Sequence, residues 1–286
     1  MTVGILYNKN KNESVHYVGL LKKAIIDISA RELGTPWSVT DSSNYKDETV
    51  VKSDILISVG GDGTFLKTAA ASIDRETPVF GFNLGTLGLL TDFDRNDLEG
   101  TILRLVKGDY IIEERMTLSV QASDENGSVV FNTTALNDCV LSRGALAKVA
   151  YIDLYINGTL ADTYPCDGII VSTQTGSTAY SLSAGGPIVE PGNEVIVITP
   201  ICAHYTDGRS IIARSTSKIE MSMRRAHKQM HISVDGYDNF QINDTMCVKC
   251  EQGNKKVRII RIDPPNFYEA LRRKASERRE KIHNEE

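Results

Sequence analysis

Apolar positions in the first third of the chain follow two different periods. Val15, Val18, Leu21, Ile25 and Ile28 succeed one another at three- and four-residue steps, the spacing of a single helix face. They predict an amphipathic helix over 13–32, ended by Gly34-Thr35-Pro36. On either side of it lie short, almost unbroken apolar runs: 2–7, 54–59 and 78–82. Runs of that length and texture suit parallel strands buried on both faces. A helical stretch, 65–72, separates the second run from the third. This alternation of strand and helix predicts a doubly wound α/β domain in the first third of the chain.

After Glu113 the period shortens to two. Leu118-Ser119-Val120, the run 151–156 and the run 231–234 alternate between apolar and polar, as half-buried strands do. Asn157-Gly158 and Asp235-Gly236 follow two of these runs, and both dipeptides are hairpin signals. The second domain is therefore expected to be mainly antiparallel β. A last helix is expected after Pro264-Pro265, with Asn266 as N-cap and Glu269 three residues on. Beyond Arg272 the chain becomes a mixed-sign charge run, which reads as a solvated tail. Trp37, after Pro36, reads as a packing anchor.

Composition narrows the class. With 286 residues, 41% of them hydrophobic and 24% charged, the chain resembles an ordinary globular protein of about two domains. A disordered, collagen-like or disulfide-stapled chain is excluded. The formal net charge of −5 argues against a nucleic-acid partner, since polyanion binders carry a basic imbalance. No run approaches the ~18 to 20 apolar residues of a membrane helix, so no membrane association is expected. The opening residues read as a strand with no charged segment and apolar core before them, which argues against a secretory leader. Five dispersed cysteines, Cys139, Cys166, Cys202, Cys247 and Cys250, then read as reduced thiols of a cytoplasmic protein. Cys247 and Cys250 form a lone CxxC in a strand-like stretch and supply only two of the usual four zinc ligands. They read as ordinary strand cysteines.

Three segments carry chemistry. Gly60-Gly61-Asp62-Gly63-Thr64 leaves a buried strand and enters a helix, where free amides and absent Cβ atoms admit a ligand. The segment is neither a P-loop nor a GxGxxG fingerprint. A carboxylate among the glycines would repel a bare phosphate, so Asp62 suits a hydroxyl, or a phosphate carried by Mg²⁺. Gly81-Phe82-Asn83-Leu84-Gly85-Thr86-Leu87-Gly88 leaves the next strand and is a candidate opposite wall. The third segment runs from Asp167 through Thr173-Gln174-Thr175-Gly176-Ser177-Thr178-Ala179-Tyr180 to Gly185-Gly186-Pro187. Its hydroxyls suit neutral polar targets such as ribose and adenine edges.

Taken together, GGDGT, NLGxLG, the pair Asn137-Asp138 and the run TGSTAYSLSAGGP resemble the NAD kinase family, in that family's order. GGDG alone is shared with lipid kinases and phosphofructokinases, whereas TGSTAYSLSAGGP speaks against a lipid kinase. The retained Asp62 argues against a non-catalytic NAD(P)-binding sensor. The resemblance implies a phosphofructokinase-like α/β domain over 1–112, rejoined by 263–286, and a β-rich dinucleotide-binding domain over 113–262. It implies Mg-dependent transfer of a phosphoryl group from ATP to the 2′-hydroxyl of the adenosine ribose of NAD, giving NADP. Mg²⁺ or another divalent cation would be needed, with no protein ligands assigned.

In that likeness Asp62 is catalytic, and Gly61, Gly63 and Asn83 belong to the nucleotide site. Asn137 and Asp138 hydrogen-bond the dinucleotide, and Asp167 lies near its nicotinamide half. Thr175, Thr178, Ala179, Tyr180 and Ser183 line the adenine and ribose pockets. Lys67 and Lys148 stand where the family often has a ligand-contacting residue. A homodimer or homotetramer is implied. Gln174 replaces a usual proline, Asp138 a commoner glutamate, and Tyr237, after Asp235-Gly236, a frequent glutamine.

Overall fold

The computed structural model describes residues 1–84, 89–90, 97–144, 149–204, 208–224, 230–262 and 266–284, with side chains to residue 276. The chain divides into two compact units, Met1–Glu114 together with Val257–Glu286, and Arg115–Lys256.

The first unit runs β1 (Thr2–Tyr7), α1 (Asn12–Leu33), β2 (Ser38–Ser42), α2 (Glu48–Val51), β3 (Ile55–Gly60), α3 (Asp62–Ser72), β4 (Val79–Asn83), α4 (Leu98–Lys107) and β5 (Ile111–Arg115). The buried face of α1 is Ser14, Val18, Leu21, Ile25 and Ile28. Val15, expected on that face, is 49% exposed. At ~100° per residue it lies about a quarter-turn from the centre of the stripe, and Ser14 takes the inward place. Gly34 ends the helix at φ 72°, a left-handed conformation that glycine adopts without strain. Trp37 is buried and donates its amide N–H to Ser29 Oγ at 2.8 Å.

β1, β3 and β4 pair in parallel and β2 joins the other side of β1. Val3, Ile5, Ile57, Val59, Phe80 and Phe82 face α1 and α4 in one core cluster. α3 packs on β3 and β4 through Phe65, Leu66 and Ala69.

The second unit continues with β6 (Leu118–Ser123), β7 (Val129–Ala135), β8 (Asp138–Arg143), β9 (Ala150–Ile156), β10 (Thr159–Cys166) and β11 (Gly168–Thr173). A short helix α5 (Tyr180–Ser183) precedes β12 (Val195–Ile201), β13 (Ile211–Arg214), β14 (Ile219–Met223), β15 (Met230–Val234), β16 (Asp238–Ile242) and β17 (Cys247–Gln252). They form two six-stranded sheets, β10-β9-β14-β17-β6-β7 and β13-β12-β11-β8-β15-β16. Alternate residues of both sheets, among them Leu118, Val120, Leu141, Ile152, Ile169, Ile198, Met221 and Ile232, meet in one core. The two hairpin dipeptides adopt left-handed backbone at both positions, Asn157 and Gly158 at φ 52° and 77°, Asp235 and Gly236 at 49° and 72°. That is the type I′ geometry, whose twist matches paired strands. Val248 and Cys250 are buried while Lys249 is exposed and Cys247 half-buried, so the two cysteines lie on opposite faces of β17.

The chain returns to the first unit at β18 (Val257–Arg261), followed by α6 (Phe267–Asn284). The first sheet is ordered β2-β1-β3-β4-β18-β5, so β18 is interior and pairs in parallel with β4. Residues 257–262, expected in the β-rich domain, thus supply an inner strand of the α/β sheet. Their alternation does not reveal which sheet takes them. Arg261, with its side chain 5% exposed, bonds Glu113 at 2.6 Å and ties β18 to β5.

Candidate active site

In the first sheet the strand order reverses between β1 and β3, and ligands of open α/β sheets sit at the carboxyl ends near such a switch. β3 ends there at Gly60. The helix that follows starts at Asp62, three residues earlier than the apolar pattern predicted, with Gly61 as an extended N-cap that offers no side-chain cap. The first amides of α3 therefore lack a capping side chain, which is the usual condition of an anion-accepting helix start. A Cβ on Gly60 would lie 2.4 Å from Thr64 Oγ1, so this glycine is demanded by the turn itself. Gly61 and Gly63 differ: a Cβ on either would meet no described protein atom within 4 Å. Packing among the described residues does not require glycine there, whereas close approach of a ligand would. Asn83, buried at the end of β4, is the register partner of Gly60. The two glycine-bearing segments thus leave adjacent strands on the same edge. Gly85 and Gly88 lie outside the described residues.

The Asp62 carboxylate is divided between two environments. Oδ2 accepts a hydrogen bond from Lys274 Nζ at 3.2 Å. Oδ1 is buried and has no hydrogen-bond partner among the described residues. Lys274 belongs to the stretch expected to be a solvated tail; Arg273, Ala275 and Ser276 are exposed as expected, but Lys274 is not. α6 continues through it, with Tyr268 N donating to Asn266 Oδ1 at the helix start. Phe267, Ala270, Leu271 and Lys274 are its less exposed positions, while Tyr268, Glu269, Arg272 and Arg273 are exposed. Phe267, Ala270, Leu271 and Lys274 stand at i, i+3, i+4 and i+7, a helix-face spacing readable in the sequence but obscured by the surrounding charges. Tyr45, another residue the motifs do not mark, shares a hydrogen bond with Thr64, and burial raises its phenol above the ordinary range. Lys67 is exposed, its Nζ 5.6 Å from the Tyr45 ring centroid. Among the described residues no three His, Cys, Asp or Glu side chains gather into a metal cage.

In the second unit β8 lies beside β11, with Asp138 opposite Ser172, so Asn137-Asp138 and the segment after Thr173 are neighbours. Thr173 N donates to Asn137 O at 2.9 Å and Thr173 Oγ1 to Leu136 O at 2.6 Å. Gly176 presses on the same stretch, since a Cβ there would lie 2.1 Å from Asn137 O. Ser177 Oγ donates to Gln174 O and accepts from Val189 N, which fixes the loop. Thr175 and Thr178 are buried, Ala179 is half-buried, and Tyr180 and Ser183 are exposed. Asn137 Oδ1 and Gln174 Oε1 are buried without a partner among the described residues. Asp167 sits before β11, at the opposite end of that strand from Thr175, and pairs with Arg143 at 2.7 Å. Lys148 lies outside the described residues.

Asp235 completes this wall. Its carboxylate accepts the amides of Leu136, Asn137 and Asp138 at 2.8, 2.7 and 3.1 Å. Burial raises the pKa of both acids, and at Asp235 the three amides oppose that rise. Asp138, buried and facing the Asp235 charge, is pushed up to about 7. In sequence Asp235-Gly236 signals a hairpin and resembles a late Asp-Gly of the family; the hold of its carboxylate on the amides of 136–138 depends on β15 lying beside β8.

Two family models fit the chain: the ATP-NAD kinase N-terminal domain over residues 35–110 and the ATP-NAD kinase C-terminal domain over 136–262. The NAD kinase of Acetivibrio thermocellus is 36% identical over 99% of this chain and 99% of its own length. The NAD kinase of Caldanaerobacter subterraneus is 37% identical, covering 96% of this chain and 99% of that one. The chain belongs to the NAD kinase family. As a member it is a phosphotransferase that uses ATP to phosphorylate NAD. Solved structures agree on the NAD kinase fold. Yeast NADH kinase complexed with NADH superposes with a TM-score of 0.82 at 23% identity, covering 95% of this chain and 86% of the other. An NAD kinase from Archaeoglobus fulgidus in complex with ATP gives 0.76 at 24% identity, covering 96% and 99%. Asp62 lies within the first family model and Asn137 to Ser183 within the second, whereas Lys274 lies in neither.

Proposed function

We propose that this chain transfers the γ-phosphoryl group of MgATP to the 2′-hydroxyl of the adenosine ribose of NAD, with Asp62 Oδ1 taking the hydroxyl proton. The hydroxyl oxygen bonds to the γ-phosphorus, the bond from that phosphorus to the β–γ bridging oxygen breaks, and ADP leaves. The products are NADP, ADP and one proton. The observation that carries the reading is the buried Oδ1 at the start of α3, which has no partner among the described residues. A buried acceptor left without a donor is rare, and a substrate hydroxyl satisfies it.

A ribose hydroxyl is a far weaker acid than a carboxylic acid, so Asp62 orients it first. It takes the proton late, as charge leaves the oxygen in a loose transition state. The divalent cation belongs to the substrate: it arrives on the triphosphate, whose oxygens are its ligands, and neutralises charge there. Gly61, Gly63 and Asn83 form the adjoining nucleotide site, with Lys67 at its rim. Asn137, Asp138, Thr175, Thr178, Ala179, Tyr180 and Ser183 hold the adenosine half of NAD. Asn137 Oδ1, without a partner among the described residues, supports this placement as an acceptor for an adenine or ribose donor. Asp167, about 20 Å along β11 at ~3.4 Å per residue, takes the nicotinamide half of an extended dinucleotide. The enzyme works as a homodimer or homotetramer in the cytoplasm. Free Cys139 and Cys250, close enough to hydrogen-bond in the core, suit a reducing compartment.

The test is NADP formation from NAD and MgATP by the purified chain. Asp62→Asn is expected to keep NAD affinity within about twofold and lose ~10² to 10⁴ in kcat, the usual worth of a positioned base. Wild-type turnover in that variant would remove Asp62 from the chemistry.

A further inference from the structure

The geometry points to Lys274 as a positioning residue for Asp62, supplied by the C-terminal helix. This inference rests on Asp62 being the proton acceptor proposed above. Four observations support it. Lys274 is the last member of the inward row Phe267, Ala270, Leu271, Lys274, so an ammonium occupies a place where an apolar side chain would otherwise complete the stripe. Its side chain is 24% exposed, although its sequence neighbours Arg273 and Ala275 are exposed. The burial therefore reflects the place of Lys274 on the helix and is not shared along the segment. The ammonium reaches one particular oxygen, Oδ2 of Asp62, at 3.2 Å. The other oxygen is left buried and without a donor among the described residues.

A carboxylate at a helix start can rotate about its own axis and present either oxygen. An ammonium donating to Oδ2 removes that freedom and leaves Oδ1 as the acceptor. The division of labour follows: Lys274 selects the rotamer, and Oδ1 meets the 2′-hydroxyl. The pair spans 212 positions in sequence, so the base is completed only after the whole chain has folded back. Lysine is suited to the task because its ammonium donates from the end of a long, largely apolar stem.

The experiment compares full-length Lys274→Met, Lys274→Arg and Arg273→Met with the wild-type chain, in steady state with NAD and MgATP varied separately. Met retains helix propensity and stem volume. Lys274→Met is expected to lower kcat ~10- to 100-fold, the scale on which a misplacement of about 1 Å acts, with both KM values within about twofold. Lys274→Arg restores at least part of kcat, and Arg273→Met leaves it unchanged. Because Lys274 acts through Asp62, Lys274→Met is expected to add nothing to the loss in Asp62→Asn. A wild-type kcat in Lys274→Met, a rise in kcat, or an effect confined to the KM for ATP overturns the assignment while NADP formation by the wild-type chain still stands. If Lys274→Met lowers Tm and Arg does not rescue kcat, the residue is structural and the assignment also falls. Absence of NADP from the wild-type chain instead overturns the functional reading itself.

Discussion

Asp138 shows how a buried carboxyl links the second unit to pH. In an unfolded chain both acids titrate near 3.8, whereas in the fold Asp138 holds its proton up to about 7. Between those values the folded state binds more protons than the unfolded state, so stability falls as pH rises through that window and levels off above it. Asp138→Asn is expected to flatten this slope. Its Tm relative to wild type should rise between pH 4.5 and pH 8, by an amount reflecting a few kcal/mol at most. Parallel Tm-against-pH curves for the two proteins would show that Asp138 is not the group. Gly176 gives a steric counterpart. Gly176→Ala sets a methyl 2.1 Å from Asn137 O, between two backbones that cannot yield. A loss of about 1 to 3 kcal/mol is expected in urea unfolding, together with weaker NAD binding. Neither effect is readable from the motif alone. The residues TGSTAY are visible in the sequence, but the identity of their neighbours depends on β8 lying beside β11.

Elements were more legible than their partners. The stripe of α1 and the runs of β3 and β4 stand where the apolar periods put them, because burial of one face acts over every turn or every second residue. The start of α3 escapes the apolar pattern because Asp62 and Gly63 lack helix propensity, yet the helix begins within the GGDGT segment. The start of α4 is set by an ordinary cap: Asp97 Oδ1 accepts Gly100 N at 2.9 Å. Asp97→Ala is therefore expected to cost ~1 kcal/mol, lowering Tm by about 2 to 4 °C while kcat is unchanged. α4 packs against α1 in the core of the first unit, far along the chain from Asp62. A kcat change in this variant would contradict a purely structural role for the cap.

At the scale of the molecule, the first unit is assembled from both ends of the chain. β18 separates β4 from β5, so β5 has no place in the sheet until the last thirty residues have been made. A chain ending at residue 256 is expected to lose the cooperative unfolding of the first unit and all NADP formation. Its second unit, with a core of its own, should still melt cooperatively in near-UV circular dichroism. Cooperative melting of both units in the truncated chain would contradict this assembly.

The sequence alone determined the two kinds of domain, the hairpins at Asn157-Gly158 and Asp235-Gly236, and the residues of the GGDGT and TGSTAY segments. These are local properties, written in apolar period, turn chemistry and glycine spacing over a few residues. The tertiary structure decided which sheet took 257–261, that Asp235 holds the amides of 136–138, and that Lys274 reaches Asp62. Each of those joins groups a hundred or so residues apart or more. A one-dimensional pattern records that a side chain is inward or charged, but only chain folding selects the group it meets.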